Sequence, residues 1–373
     1  MSTDARLRGV MQQILSTVDV RIDGPRPWDF RVHDGRFFRR VLSGGTLGLG
    51  ESYVDGWWDV ERLDELFERL AALDAGAIPI PWNLRWLAFV DRFVNRQGRS
   101  RAHRVAFRHY DLGNDLFTAM LDPGMAYSCG YWKDARTLAE AQAAKLDLVC
   151  RKLGLLRGQS VLDIGCGWGS FVRFAAEHYG VRALGINNST EQTALGRELS
   201  RGLPVEIRTQ DYRDVTGTFD HVVSIGMFEH VGPRNYRTFF EVADRCLEQG
   251  GLLLLHTIGS HGGGRAVDAW TEKYIFPDGT QPTIREIGAA IERLFVMEDW
   301  QNLGADYDPT LMAWFANFDA AWDRLRPKYG DRFYRMWKYF LLGSAGSFRA
   351  RRNNVWQIVL ARRGVPGGYR GIR

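Results

Sequence analysis

The residues most suited to chemistry lie in the run Val161-Leu-Asp-Ile-Gly-Cys-Gly-Trp-Gly169. An apolar stretch ends in Asp163, and glycines then alternate at Gly165, Gly167 and Gly169, with Trp168 between the last two. Only glycine lets a backbone pass close to a ligand at the carboxyl end of a strand. A following helix adds unpaired N–H groups. The string lacks the G-x-G-x-x-G spacing of a dinucleotide loop and the Lys-Ser/Thr ending of a P-loop. It points to S-adenosylmethionine; another small ligand, or a bare strand–helix turn, is the alternative. Asn187, Asn188 and Gln192 come after the next strand-like run, where a ribose or the amino-acid end of such a cofactor can receive hydrogen bonds. A helix cap at Asn188 or Ser189 is the competing role. Asp211 can accept from an adenine amino group and Tyr212 can pack on its ring; a simple turn competes for Asp211.

Positioning these residues takes regular elements. Ser160–Ile164, Val181–Ile186, Val205–Thr209, His221–Ile225 and Leu252–Thr257 read as short buried strands. Helix-like segments such as Ser189–Ser200 and Asn235–Leu247 separate them. Leu294–Trp300 and Val355–Ala361 add two more strands. The aromatic-rich stretch of roughly 50 residues between that last pair is too long for a loop and reads as a helical insertion. Such alternation predicts an α/β fold, a mostly parallel seven-stranded sheet with helices on both faces.

The chain has 373 residues, 45% hydrophobic and 25% charged, with 49 Lys+Arg against 44 Asp+Glu and a net charge of +5. These values exclude a disordered or collagen-like chain and suit about two domains. Cys129, Cys150, Cys166 and Cys246 form no C-x-x-C pair, which argues against a disulfide framework and a structural zinc; no metal is expected. The start, MSTDARLRGVMQQIL, lacks a signal-peptide core, and no apolar run approaches the ~18 residues of a membrane span. Cytoplasmic residence, with room for peripheral membrane contact, is the expectation. Residues 51–70 are acidic. From Arg85 to Arg108 there are seven arginines and one acid among apolar residues at helical spacing, and from Arg349 to Arg373 seven arginines and no acid. Both basic stretches read either as solvated faces or as surfaces for anionic lipid. No nucleic-acid module is present, so no such partner is expected.

Further runs carry a family resemblance: GTLGLGESYVDGWWD (45–59), HYDLGNDLF (109–117), LDPGMAYSCGYWKD (121–134), IGMFEHVG (225–232), LLHTIGS (254–260), KYIFPDG (273–279) and ADYDPTLMAW (305–314). With the glycine string, they make the whole chain resemble the cyclopropane-fatty-acyl-phospholipid synthases of full-length bacterial type. The resemblance implies a Rossmann-like class I methyltransferase sheet over residues 101–373 and a helical lipid- and membrane-binding domain over residues 1–100. It implies methylene transfer from S-adenosylmethionine to the cis double bond of an unsaturated acyl chain in a membrane phospholipid, at the inner face of the cell membrane, by a homodimer. Bicarbonate is implied as the base, held by Cys129, Glu229, His256, Ile258 and Tyr307. Tyr127 and Ser128 are implied to touch the methionine end of the cofactor.

The side chains suit that chemistry. Glu229 and His256 follow strands at the ligand edge of such a sheet, and pairing between them would orient the histidine. Glu229 itself as the base is the competing assignment. Outside its motif Cys129 would read as a small buried hydrophobe, His230 reads as structural, and Glu140 reads as a solvated charge. Two departures stand out. Ser344 sits where close relatives often place cysteine, so no thiol is required there. Asn187-Asn188 replaces the usual Thr, Ser or Ile type residues. Two other readings remain: a fatty acyl methyltransferase giving a methyl branch, and a non-catalytic lipid-binding protein.

Overall fold

Runs of consecutive buried residues in the inner strands explain the central sheet. The computed structural model describes residues 3–73, 113–261 and 267–373. The arginine-rich stretch 85–108 lies outside the described residues. A pair of two-residue strands comes first, β1 (Arg31–Val32) and β2 (Trp58–Asp59), antiparallel to each other. The main strands are β3 (Ser160–Ile164), β4 (Arg182–Asn187), β5 (Val205–Thr209), β6 (Phe219–Ile225), β7 (Leu247–Ser260), β8 (Val296–Asn302) and β9 (Asn353–Ala361). They form a seven-stranded sheet in the order β5-β4-β3-β6-β7-β9-β8. The β5-β4, β4-β3, β3-β6 and β6-β7 pairs are parallel, and β8-β9 is antiparallel. The order steps outward from β3 in both directions, so the switch point lies between β3 and β6, where open α/β sheets bind ligands.

Both faces are covered, as the near-continuous apolar strands demand. Leu162, Ile164, Val222, Leu253 and Leu255 pack with Phe239 and Phe240 of the helix Tyr236–Cys246. Val161, Val223, Leu252 and Leu254 face the other way, onto Val149 and Cys150 of the helix Leu138–Leu153 and Phe171 of the helix Ser170–Tyr179. The helix Leu138–Leu153 opens on a capping box in which Thr137 and Glu140 each satisfy the other's backbone N–H, and Gly154 closes it in the left-handed conformation. Glu140 is therefore exposed but holds a cap, beyond the solvated charge expected of it.

The chain divides into two compact units. Within the described residues, the sheet unit comprises 113–261, 278–310 and 354–373, and the other comprises 3–73, 267–277 and 311–353. Most of the helical insertion thus folds with the N-terminal residues. Its long helix, Trp322–Arg349, carries Pro327 and breaks at Gly330. Near its end Gly346 lies against the backbone of Asp64 and Glu68, an approach that leaves no room for a Cβ. Arg349 reaches the buried Asp64 at 2.9 Å. Arg362 pairs with Asp244 and Arg373 with Asp299, each at 2.6 Å, so three of the seven arginines in 349–373 are spent on internal ion pairs.

Gly259 on β7 sets a local tolerance: a Cβ there would run into the ring of Trp356, itself buried in the core. Gly259→Ala is expected to lower stability by about 1–3 kcal/mol, read as a shifted denaturant midpoint at unchanged slope.

Candidate active site

The three glycines of the turn after β3 all have positive φ: 95° at Gly165, 56° at Gly167 and 80° at Gly169. A side chain at Gly165 would meet Met227, and one at Gly169 would meet Ile207 and Val172. Asn187 braces the turn from the end of β4: its Nδ2 donates to the Gly167 carbonyl (3.2 Å) and to Gln192 Oε1 (2.7 Å). Ser189, not Asn188, caps the next helix, accepting from the Gln192 amide. Trp168 turns its indole into the protein, donating from Nε1 to Asn114 Oδ1 at 2.9 Å and packing on Phe117. It offers the turn only its backbone. Asp211 caps the short turn Tyr212–Asp214, and both its oxygens are engaged by the guanidinium of Arg213, at 2.8 and 2.6 Å. Tyr212 is buried against Phe239.

Two acceptors in this region suit a ligand rich in donors. Asp163 Oδ1 and Asn188 Oδ1 are buried and have no hydrogen-bond partner among the described residues. Burial lifts the Asp163 carboxyl to about 7 against a smaller opposing pull from Lys145. An ammonium or hydroxyl group of a cofactor would supply the missing donors.

A second segment, 126–132, is stitched to residues 303–310. Cys129 Sγ lies 3.3 Å from the Gly130 carbonyl and 3.7 Å from the Leu303 carbonyl. The Gly130 amide donates to Thr310 Oγ1 (3.1 Å), and so does Trp132 Nε1 (2.8 Å). The Trp132 amide donates to Asp306 Oδ1 at 2.8 Å. These bonds bring Cys129 into the neighbourhood of Tyr307, which opens the helix Tyr307–Ala320 and is half-buried. Cys129 itself is fully buried, and burial holds its thiol in the protonated form. Tyr127 packs edge-on against Phe117. Ser128 lies close beneath Gly226, the residue after β6.

Glu229 sits in the short turn Phe228–His230 just after β6, and His256 lies on β7 opposite Ile225, the last residue of β6. The Gly226 amide bonds the His256 carbonyl at 2.9 Å and ties the two strands together. Glu229 Oε1 accepts from the Ile258 amide at 2.6 Å, while Oε2 is buried with no hydrogen-bond partner among the described residues. Burial raises the Glu229 carboxyl to about 7, and the Ile258 N–H and Thr257 hydroxyl only partly offset it. Burial also keeps His256 neutral, far below the usual imidazole range. One expectation needs correction here: Glu229 does not pair with His256. Its partner is the backbone of Ile258, and the partner of His256 is Gln357, whose Nε2 lies 3.3 Å from Nδ1. An amide N–H on Nδ1 leaves the ring proton on Nε2, so His256 is set as a neutral donor.

Several contributors went unread in the sequence: Lys145, Gln142, Thr310 and Gln357. Lys145 and Gln142 did leave a signal. They fall on the buried stripe of the helix Leu138–Leu153 with Leu138, Ala141, Leu146 and Val149, a place where polar residues need a reason. Among the described residues no cluster of His, Cys, Asp and Glu is arranged to hold a metal ion.

Residues 97–358 match the family described as mycolic acid cyclopropane synthetase. The cyclopropane-fatty-acyl-phospholipid synthase of Escherichia coli (strain K12) is 50% identical over 367 residues, covering 98% of this chain and 95% of its own. The cyclopropane synthase MmaA2 from Mycobacterium tuberculosis is similar in structure, with a TM-score of 0.65 and 32% identity over 69% of this chain and 98% of its own. The mycolic acid cyclopropane synthase CmaA1, solved with SAH and CTAB, has a TM-score of 0.64 and 33% identity over 69% of this chain and 97% of its own. On the strength of that match across most of its length, the chain belongs to the mycolic acid cyclopropane synthetase family.

Proposed function

We propose that this protein transfers a methylene group from S-adenosylmethionine to the cis double bond of an unsaturated acyl chain in a membrane phospholipid, forming a cyclopropane ring. The family match and the SAH held by a relative support the cofactor and the reaction class. The name of the E. coli relative supports the phospholipid substrate. The observation that carries the chemistry is the carboxyl of Glu229: buried, fixed by Ile258 at one oxygen and open at the other.

An alkene is a weak nucleophile, so it must be held against the electrophilic methyl in a fixed geometry. When the alkene carbon takes that methyl, the other carbon is left cationic. The new methyl must then lose a proton so that its electrons close the ring before water adds. In the proposed roles, Tyr127, Ser128, Asp163, the three glycines, Asn187, Asn188, Gln192, Asp211 and Tyr212 line the cofactor's place, with Trp168 giving its backbone. Asp163 and Asn188 are the acceptors for its polar end. Cys129, Glu229, His256, Ile258 and Tyr307 are proposed to hold a bicarbonate ion. The fit rests on donors: His256 Nε2–H, the Tyr307 hydroxyl and the protonated form of Glu229, with the Cys129 thiol, directed at the Gly130 carbonyl, closing the wall beside them. Bicarbonate bound there would supply a base for the methyl proton. Glu229, titrating near 7, can hold and release a proton at its open oxygen. Homodimer formation, and action at the inner face of the cell membrane from the cytoplasm, belong to the same proposal.

Purified protein incubated with cis-unsaturated phospholipid vesicles and S-adenosylmethionine should yield fatty acids heavier by about 14 mass units, one CH2. A gain of about 16 would mark a saturated methyl branch instead and refute ring formation. Glu229→Gln should cut turnover about a hundredfold or more with S-adenosylhomocysteine affinity within a few fold; full activity would remove Glu229 from the proton path. Difference infrared spectra of wild type against Glu229→Gln should show a carboxylic acid band at low pH that fades as pH rises, with a midpoint of about 7. The carboxyl is protonated below that midpoint and ionised above it, and a midpoint in the ordinary carboxylate range would contradict its burial.

A further inference from the structure

Lys145 is a lysine with no exposure, placed among residues of the cofactor edge. Its Nζ donates to Ser128 Oγ at 2.9 Å. One turn earlier on the same helix Gln142 Nε2 donates to the Ser128 carbonyl at 2.8 Å, so Ser128 is gripped at both backbone and side chain. Ser128 is buried and lies against Gly226 at the end of β6, while Gly165 of the glycine turn lies against the adjoining Met227. Three segments thus meet where Ser128 sits. The charged and polar groups within electrostatic reach of the Lys145 ammonium are Asp122, Cys129 and Asp163, and His256 feels it too. Of these, Asp163 is buried and keeps one oxygen without a hydrogen-bond partner among the described residues.

We infer that Lys145 is a positioning residue for the amino-acid end of S-adenosylmethionine, acting through Ser128 and Asp163. The inference rests on the cofactor reading above. A serine oxygen that accepts from an ammonium turns its own O–H outward, polarised by the neighbouring charge into a stronger donor. A carboxylate is the ligand group that such a donor recognises. The same ammonium helps Asp163 stay ionised, with Oδ1 ready to accept from a ligand ammonium. Carboxylate and ammonium are the two charges of the methionine end. Burial draws the lysine down to about 8, which still leaves it charged at neutral pH.

The test compares two ligands on full-length protein by calorimetry: S-adenosylhomocysteine, and 5′-methylthioadenosine, which keeps the nucleoside and thioether but lacks the amino-acid end. Lys145→Met retains the side-chain bulk and removes the charge. It should weaken S-adenosylhomocysteine about tenfold or more and leave methylthioadenosine within about twofold. Ser128→Ala should show the same split, and the double variant should lose little beyond either single change. Equal losses for both ligands would mean a merely structural lysine and overturn the inference, as would unchanged S-adenosylhomocysteine affinity. Should Lys145→Met fail to fold, Ser128→Ala decides by the same split. A wild-type protein that binds neither ligand overturns the cofactor reading and this inference together, whereas wild-type binding without the split removes this inference alone.

Discussion

Water exclusion at the carboxyl ends of β3, β6 and β7 governs everything built there. An ionisable group out of water drifts toward its neutral form, and the drift runs both ways in this site. Asp163 and Glu229 rise to about 7, Lys145 falls to about 8, and His256 stays neutral. Near neutral pH the two carboxyls are thus poised to gain or lose a proton, and hydrogen-bond geometry decides which atom carries it. Gln357 decides which nitrogen of His256 bears hydrogen, and Ile258 decides which oxygen of Glu229 is open. Under the proposed chemistry the same dryness protects an intermediate that water would destroy.

The fold achieves this with close approaches and few long side chains. Glycine at 165 lets the turn after β3 rest on Met227 without a Cβ between them, and Gly226 takes the left-handed conformation where β6 ends beside Ser128. Thr310 acts as a single rivet. Its hydroxyl oxygen accepts from Gly130 and Trp132, and its proton goes to the Asp306 carbonyl. A hydroxyl used in all three directions has no capacity left for water.

Much of this was legible in the residues. Strands such as Ser160–Ile164 and His221–Ile225 stand where their apolar runs put them, because burial on both faces leaves a local pattern. The glycine string was legible because its conformations exclude other residue types. The fold of the insertion was less so: its length and aromatic content predict a helical insertion, but not that Gly346 would rest on Asp64. The partner of His256 was out of reach as well, since nothing local to either residue marks Gln357 as its mate. Asp211 was ambiguous because a carboxylate suits both an adenine and an arginine two residues away, and Arg213 holds it. Lys145 was visible in principle as a charge on an apolar stripe, a pattern that reports burial before it reports purpose.

The contacts that finish the site join distant parts of the chain. Gln357 reaches back 101 residues to His256, and the Leu303 carbonyl reaches back 174 to Cys129. During synthesis, the nucleotide-type half of the sheet emerges from the ribosome long before β9 does. A nascent chain can thus shape its glycine turn early, yet the histidine gains its fixed tautomer only when the final strand is delivered. Under the proposed chemistry, the proton-handling part of the site is thus completed last, after the glycine turn that adjoins it.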